Sequence, residues 1–267
     1  MTRVTAPFGR RAAAVTGREQ HGAYVVIRAA DPSGPAPQPG QFYMLSSAER
    51  WGGGDGERPF LPRAFSVLRA GGGELQFLIE DVGPGTRRLC ELNPGDGLNL
   101  VGPLGNGFAP PRDARAPLLV GGGVGIAPLA IWQDALADDA RVLLGFRDAA
   151  HAEGAKLLRH AAVATDDGSA GHHGLVTELL EDELDDRADD VEVYACGPPA
   201  MLQAVRAICI DHGAPAQLAL ESGMACGFGA CFGCVVPTQN GYVRLCVDGP
   251  VLDAAMLETA LVAGAGH

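Results

Sequence analysis

Three cysteines stand within nine residues, in the stretch CGFGACFGC from Cys226 to Cys234, and a fourth, Cys246, follows after eleven more positions. The spacing Cys226-x4-Cys231-x2-Cys234 takes three thiols from one continuous loop and one from a neighbouring segment. Four thiolates so spaced hold the two irons of a [2Fe–2S] cluster in the plant-type arrangement. Gly227, Gly229, Ala230 and Gly233 leave room for the backbone to wrap closely and aim N–H groups at the sulfurs. A structural zinc site also takes four cysteines, but zinc knuckles pair two short Cys hooks, and this loop offers one. The pattern favours iron–sulfur over zinc, and either over unliganded core cysteines. Cys90 and Cys209 have no thiol nearby in sequence and read as buried and inert.

Two further groups of residues could bind anions. RAFS, Arg63 to Ser66, supplies an arginine and a hydroxyl on a strand; nineteen residues later GPGT, Gly83 to Thr86, offers flexible N–H groups and a second hydroxyl at a helix start. VGGGVGIAP, Val120 to Pro128, follows an expected strand and opens an expected helix, the context a dinucleotide loop requires. It lacks a strict G-x-G-x-x-G, so a plain strand-to-helix turn remains open. CGPPAML, Cys196 to Leu202, falls at the carboxyl end of a later strand of the same sheet. Both motifs therefore face one crevice.

The elements that must position these residues come in two styles. Through the first hundred residues, YVVIRAA, GQFYMLSS, RAFSVLRA, ELQFLIEDVG and GDGLNLVGPLG are short apolar runs between turn residues, the pattern of antiparallel strands in a small barrel. WGGGDGERP, Trp51 to Pro59, reads as a mobile loop on that barrel. Beyond the linker Pro110 to Pro117 the pattern changes to alternating strands and helices. Strands are expected at LLVGG, RVLLGFRD, 161–165 and VEVYACG; helices are expected after the glycine turn and at 152–160, 176–183 and 199–211. That order implies a parallel sheet, with the cysteine segment after it. No internal repeat is present.

Composition narrows the partners. A chain of 267 residues has room for two domains with buried cores. The formal net charge of −12 excludes a nucleic-acid partner, because no Lys/Arg cluster is present to hold phosphates. ELLEDELDDRADD, Glu178 to Asp190, reads as a solvated helix face. The longest apolar run, Ala116 to Trp132, is broken by glycines and prolines, so no membrane span is expected. MTRVTAPFGRRAAAV lacks the apolar region of a secretory signal, and a cytoplasmic location is expected. Clustered thiols in that compartment are metal ligands rather than disulfides.

In this order RAFS, GPGT, GPLGNGF, GGGVGIAPL, CGPPAML, ESGMACGFGACFGC and CVDGP resemble the ferredoxin-reductase superfamily, and most closely its electron-transfer subunits of bacterial NAD-using dihydroorotate dehydrogenase. The resemblance covers nearly the whole chain. Its cysteine loop discriminates most, since plain ferredoxin reductases lack it. The implied fold is β followed by α/β: an antiparallel FAD-binding β-barrel over 1–110, a parallel-sheet NAD-binding domain over 117–215, and a [2Fe–2S] segment over 216–267.

Carried over by residue, the resemblance implies that Arg63, within Arg63-Ala64-Phe65-Ser66, contacts the FAD pyrophosphate, with Ser66 near the reactive edge of the flavin. Gly85 and Thr86 would hold the diphosphate, and Leu78, Ile79 and Glu80 would border the other half of the flavin. Gly121, Gly122 and Gly123 would approach the NAD pyrophosphate; Cys196 and Gly197 would lie beside the nicotinamide. Cys226, Cys231, Cys234 and Cys246 would hold the cluster.

The implied partner is an FMN-containing dihydroorotate dehydrogenase catalytic subunit in a heterotetramer, serving pyrimidine (UMP) biosynthesis. Electrons would run from that subunit through [2Fe–2S] and FAD to NAD+. Ala64 stands where the family commonly has proline, and Arg147 and Asp148 both stand where a ribose phosphate is read, which leaves NAD and NADP open. Rival readings are a subunit serving a transhydrogenase or hydrogenase, and a zinc-stapled regulatory protein without redox activity. Met224, Phe228 and Phe232 lie among the ligands, and either a partner or the chain itself would cover them.

Overall fold

The computed structural model describes residues 10–52, 59–136 and 140–262. Its first half is a closed antiparallel barrel of β1 (Arg11–His21), β2 (Tyr24–Ala30), β3 (Phe42–Ser47), β4 (Arg63–Gly71), β5 (Glu74–Glu80) and β6 (Gly97–Leu104), in the order β1-β2-β5-β4-β3-β6. Five of these strands coincide with the apolar runs. The sixth, β1, does not, because RAAAVTGREQH buries only small residues such as Ala13 and Val15 at alternate positions. Pairing with β2 on one side and β6 on the other makes it a strand. Tyr43, Phe77, Leu45, Ile27 and Leu100 fill the barrel. Helix α1 (Pro84–Cys90) crosses its end. Of the expected loop 51–59, residues 53–58 lie outside the described residues, and Gly52 N–H donates to Pro59 O at 2.9 Å across its base.

The second half alternates β7 (Ala116–Gly122), α2 (Ile126–Ala135), β8 (Arg141–Phe146), α3 (Ala149–Ala152), β9 (Ala161–Thr165), β10 (His172–His173), α4 (Val176–Arg187), β11 (Val191–Cys196), α5 (Pro199–Asp211) and β12 (Ala216–Ala219). The expected helix at 152–160 is instead the short α3 and a 3₁₀ turn over 153–157. Asp148 caps the helix early by accepting from His151 N, and Gly154 is pressed against the Tyr24 ring, which ends regular winding.

The remaining chain forms a hairpin of β13 (Val235–Thr238) and β14 (Gly241–Arg244), then α6 (Leu245–Asp248) and β15 (Val251–Asp253). Strand β15 pairs antiparallel with β12, so the sheet runs β10-β9-β8-β7-β11-β12-β15, and only that last edge is antiparallel.

The two halves share one apolar interface. Tyr24, Val26, Leu68, Leu78 and Phe108 pack with Leu119, Ile126, Trp132 and Tyr194 in a single cluster, with Phe108 stacked on Trp132 at 5.9 Å. The linker is fastened as well. Glu192, fully buried on β11, accepts from Arg112 N at 2.6 Å and Gln217 Nε2 at 2.9 Å, while Gln217 Oε1 accepts from Ala109 N at 2.8 Å. No described helix is long and apolar enough to cross a membrane.

Candidate functional site

The cysteine loop leaves β12 and folds back under the barrel. Gly227 (φ 79°) and Gly229 (φ 87°) adopt left-handed backbone, and so does Phe232 (φ 59°), where a side chain carries strain. A Cβ on Gly227 would lie 2.5 Å from Met44 Cγ, so the loop rests directly on β3. From the other side Asn106, just after β6, donates through Nδ2 to Val247 O and Asp248 O at 3.1 and 3.0 Å.

The four sulfurs meet in two pairs. Cys226 contacts Cys231, and Cys234 Sγ lies 3.2 Å from Cys246 Sγ. Burial alone would raise the Cys226 thiol, but backbone N–H groups of Cys231, Phe228 and Ala230, together with the Cys231 side chain, outweigh it and bring it to about 7. At Cys246, burial and then the neighbouring Cys234 push the thiol up to about 12. Cys246 therefore ionises only where a cation compensates it. A binuclear cluster takes two thiolates on each iron, and the neighbours Cys226/Cys231 and Cys234/Cys246 fit that division.

On the barrel, Arg63 opens β4 opposite Leu45, and its Nε lies 2.8 Å from where a Gly85 Cβ would stand. The RAFS and GPGT motifs, far apart in sequence, therefore share one surface. Ala64 pairs with Met44 in the ladder, so the family's proline is not needed to hold that register. Phe65 and Ser66 are half-buried, and Phe60 and Leu61 are exposed beside them. Thr86 Oγ1 accepts from Val82 N and Gly83 N at 2.9 and 3.0 Å and donates to Gly83 O, so its hydroxyl knits the turn. Leu78 and Ile79 direct their side chains into the core, leaving only backbone for any ligand.

The crevice of the parallel sheet opens where β7 and β11 end together, with Gly121 opposite Cys196. The three glycines there differ. A Cβ on Gly121 would strike Leu144 and Leu129, and one on Gly122 would meet Met201 Sδ at 2.5 Å, so both are glycine for packing. Gly123 (φ 54°) faces open space. Gly125, not singled out in the sequence, is held tightest: its Cβ would stand 2.4 Å from Cys196 O. Its presence in GGGVGIAP was the available signal. Gly197 lies against Gly122 N under Met201. Desolvation pushes the Cys196 thiol up to about 12, which keeps it protonated and neutral.

Glu80 also reaches across to the other half. Its carboxylate makes a close ion pair with Arg147 Nη2 and lies 3.3 Å from His151 Nε2. Arg147 Nε also reaches His151 Nε2 at 2.9 Å, and Asp148 Oδ1 meets His151 Nδ1 at 2.6 Å. Arg147 and Asp148 were legible as a pair in sequence; His151 and the bond to Glu80 were not, since only the docking of the two halves creates them.

Two family models match the chain: the iron–sulfur cluster binding domain of dihydroorotate dehydrogenase B over residues 221–258, and the oxidoreductase NAD-binding domain over residues 119–207. The dihydroorotate dehydrogenase B (NAD(+)) electron transfer subunit of Caldanaerobacter subterraneus is 38% identical, covering 82% of this chain and 86% of its own. The same subunit of Clostridium perfringens is 33% identical, with coverage of 82% and 86%. Among solved structures, the NADH-dependent reduced ferredoxin-NADP oxidoreductase structure, described in terms of flavin-based electron bifurcation, superposes with a TM-score of 0.79 at 25% identity over 95% of this chain and 92% of that one. A Neisseria gonorrhoeae ferredoxin NADP+ reductase with bound FAD and NADP shares the fold, with a TM-score of 0.63 at 18% identity over 76% of this chain and 92% of that one.

Proposed function

The chain belongs to the family of electron-transfer subunits of dihydroorotate dehydrogenase B, and from that premise we propose how its residues relay electrons from a catalytic subunit to NAD+. The observation that carries the reading is the contact between two sites. The cysteine loop rests on Met44, and Met44 is the ladder partner of Ala64 within RAFS, so cluster ligands and candidate flavin strand are one side chain apart.

A bound cluster supplies one-electron storage, and a bound FAD supplies the exchange between single electrons and a hydride. The chain's own part is to hold and exclude. Cys226 and Cys231 would take one iron, Cys234 and Cys246 the other, with backbone N–H groups already directed at Cys226. Arg63, poised over Gly85, would neutralise flavin phosphate. Gly123 would admit the dinucleotide to the crevice, and the neutral Cys196 and Met201 would keep water from the nicotinamide.

The partner in this reading is an FMN-containing catalytic subunit in a cytoplasmic heterotetramer acting in pyrimidine synthesis. An apolar rim supports it: Phe232 and Tyr242 are 63% and 79% exposed, with Phe228 and Val235 beside the ligands. A second reading, a subunit serving an NADPH-linked transhydrogenase, draws on the 0.79 superposition and differs only in that rim's partner.

The test is the full chain purified without oxygen. Flavin absorbance with iron and acid-labile sulfide at about two per chain is expected, and Cys231→Ser should lose the iron while keeping the flavin. Stoichiometric zinc with no flavin would refute the reading. Co-purification with an FMN enzyme that oxidises dihydroorotate separates the first reading from the second.

A further inference from the structure

The carboxyl ends of β7, β8 and β9 form a row. Gly122 is in register with Gly145 and Phe146 with Thr165, and Asp167 N–H donates to Arg147 O at 3.3 Å. Gly123, Arg147 and Asp167 therefore lie side by side just beyond the strands. In such sheets the residues following the second strand read the adenosine ribose: an acidic group binds the free 2′-hydroxyl, and an arginine accommodates a 2′-phosphate. This chain places both there.

Both are engaged, Asp148 within its own half through Oδ1 to His151 N and Nδ1, with Oδ2 at 4.0 Å from Arg147 Nε. Arg147 is engaged by Glu80 and His151, and Glu80 comes from the barrel, not from the sheet that reads the ribose. The barrel is held against this point by its backbone. Ala23 N–H donates to Ala150 O at 3.0 Å, and Gly22 (φ 57°) approaches so closely that a Cβ would stand 1.9 Å from the same oxygen. The Tyr24 ring meets His151 edge-on at 5.5 Å. Glu80 is the ladder partner of Tyr24, so this contact brings its strand to Arg147, whose side chain stays 60% exposed.

Charge points the same way. Asp148 is held below the usual carboxylate range by the His151 side chain and backbone, and Asp167 by Ser169, so both stay ionised at neutral pH. With Glu80 in close pairing and Asp148 Oδ2 at 4.0 Å from Arg147 Nε, two carboxylates face one guanidinium, an unfavourable setting for a phosphate dianion.

We propose that Glu80, a residue of the flavin barrel, sets the dinucleotide choice of the neighbouring domain by withholding Arg147 from a ribose 2′-phosphate and leaving Asp148 to an unphosphorylated ribose. The proposal rests on the dinucleotide site described above and names the substrate class of that site. Selectivity for NAD+ over NADP+ is then a property of how the two halves dock, and neither half carries it alone.

Calorimetric titration of the flavin-loaded full chain with NAD+ and with NADP+ tests it. Wild type should bind NAD+ more tightly. Glu80→Gln, which keeps the shape and removes the charge, should shift the affinity ratio about tenfold toward NADP+, the scale of one charge-assisted hydrogen bond to phosphate. Glu80→Ala should shift it in the same direction. Adding Arg147→Leu to Glu80→Gln should cancel the shift, since the arginine is what reads the phosphate. An unchanged ratio in folded, flavin-containing Glu80→Gln overturns the proposal, and so does a shift that survives in the double variant. Wild type that binds neither dinucleotide refutes the site reading itself.

Discussion

Replacing Gly125 by alanine sets two opposed effects against each other. Its backbone (φ −61°, ψ −9°) suits any residue, so alanine would stabilise the protein by about 0.4–1 kcal/mol through lost freedom of the unfolded chain. Against that, the new Cβ would stand 2.4 Å from Cys196 O, 2.5 Å from Cys196 C and 2.6 Å from Gly197 N, where ordinary contact begins near 3.4 Å. A displacement of about 1 Å is required (3.4 less 2.4), and the atoms in the way are backbone of a central strand that no rotamer change can move aside. Overpacking of this kind costs about 1–3 kcal/mol, so the clash wins and the net loss is on the order of 1–2 kcal/mol. The displacement also widens the crevice between the glycine turn and the end of β11. Urea denaturation should show a lower midpoint, and NAD+ affinity should fall with it. A Gly125→Ala variant with a raised midpoint and unchanged NAD+ affinity would refute the close approach.

Glu192→Ala leaves the Arg112 backbone N–H and the Gln217 amide without their buried acceptor, while the half-exposed Arg112 guanidinium keeps Asp253, and should destabilise by about 1–3 kcal/mol in denaturant melts, with Glu192→Gln losing less. A loss below about 1 kcal/mol would mean that water replaces the carboxylate there. His212, at the end of α5, is raised in pKa by the Ile208 carbonyl and then by Asp185. A raised folded value stabilises below the unfolded pKa and ceases to do so as pH climbs through the folded one. Wild type should therefore exceed His212→Gln in melting temperature by more at about pH 5.5 than at about pH 8.5, and equal gaps would contradict the assignment.

The strands most legible in sequence were those whose own residues carry the alternation, such as β5, where burial of Leu75, Phe77 and Ile79 follows the pleat. β1 escaped notice because its buried positions are Ala13, Val15 and Gly17, and one of its two partners, β6, lies more than eighty residues on. The cysteines announced themselves because ligand spacing is local. The division of the four sulfurs into two pairs was not local, since Cys246 reaches Cys234 only through the β13–β14 hairpin. The resemblance implies that Glu80 borders the flavin, and what it could not show is the bond of its side chain to a guanidinium on the other half. Motifs thus marked which residues matter, while the docking of barrel on sheet decided what several of them touch.

The segment that carries the cysteines leaves the sheet after β12 and returns to it as β15, with Ala219 directly opposite Val251. Both moorings of the loop are therefore fixed in adjacent strands, whether or not iron is bound. Loss of iron would open a closed loop and would not release a tail, and the entropy of bringing its ends together is already met by the sheet. Reloading of iron would then require reordering of the loop alone, with its two ends already held side by side in the sheet.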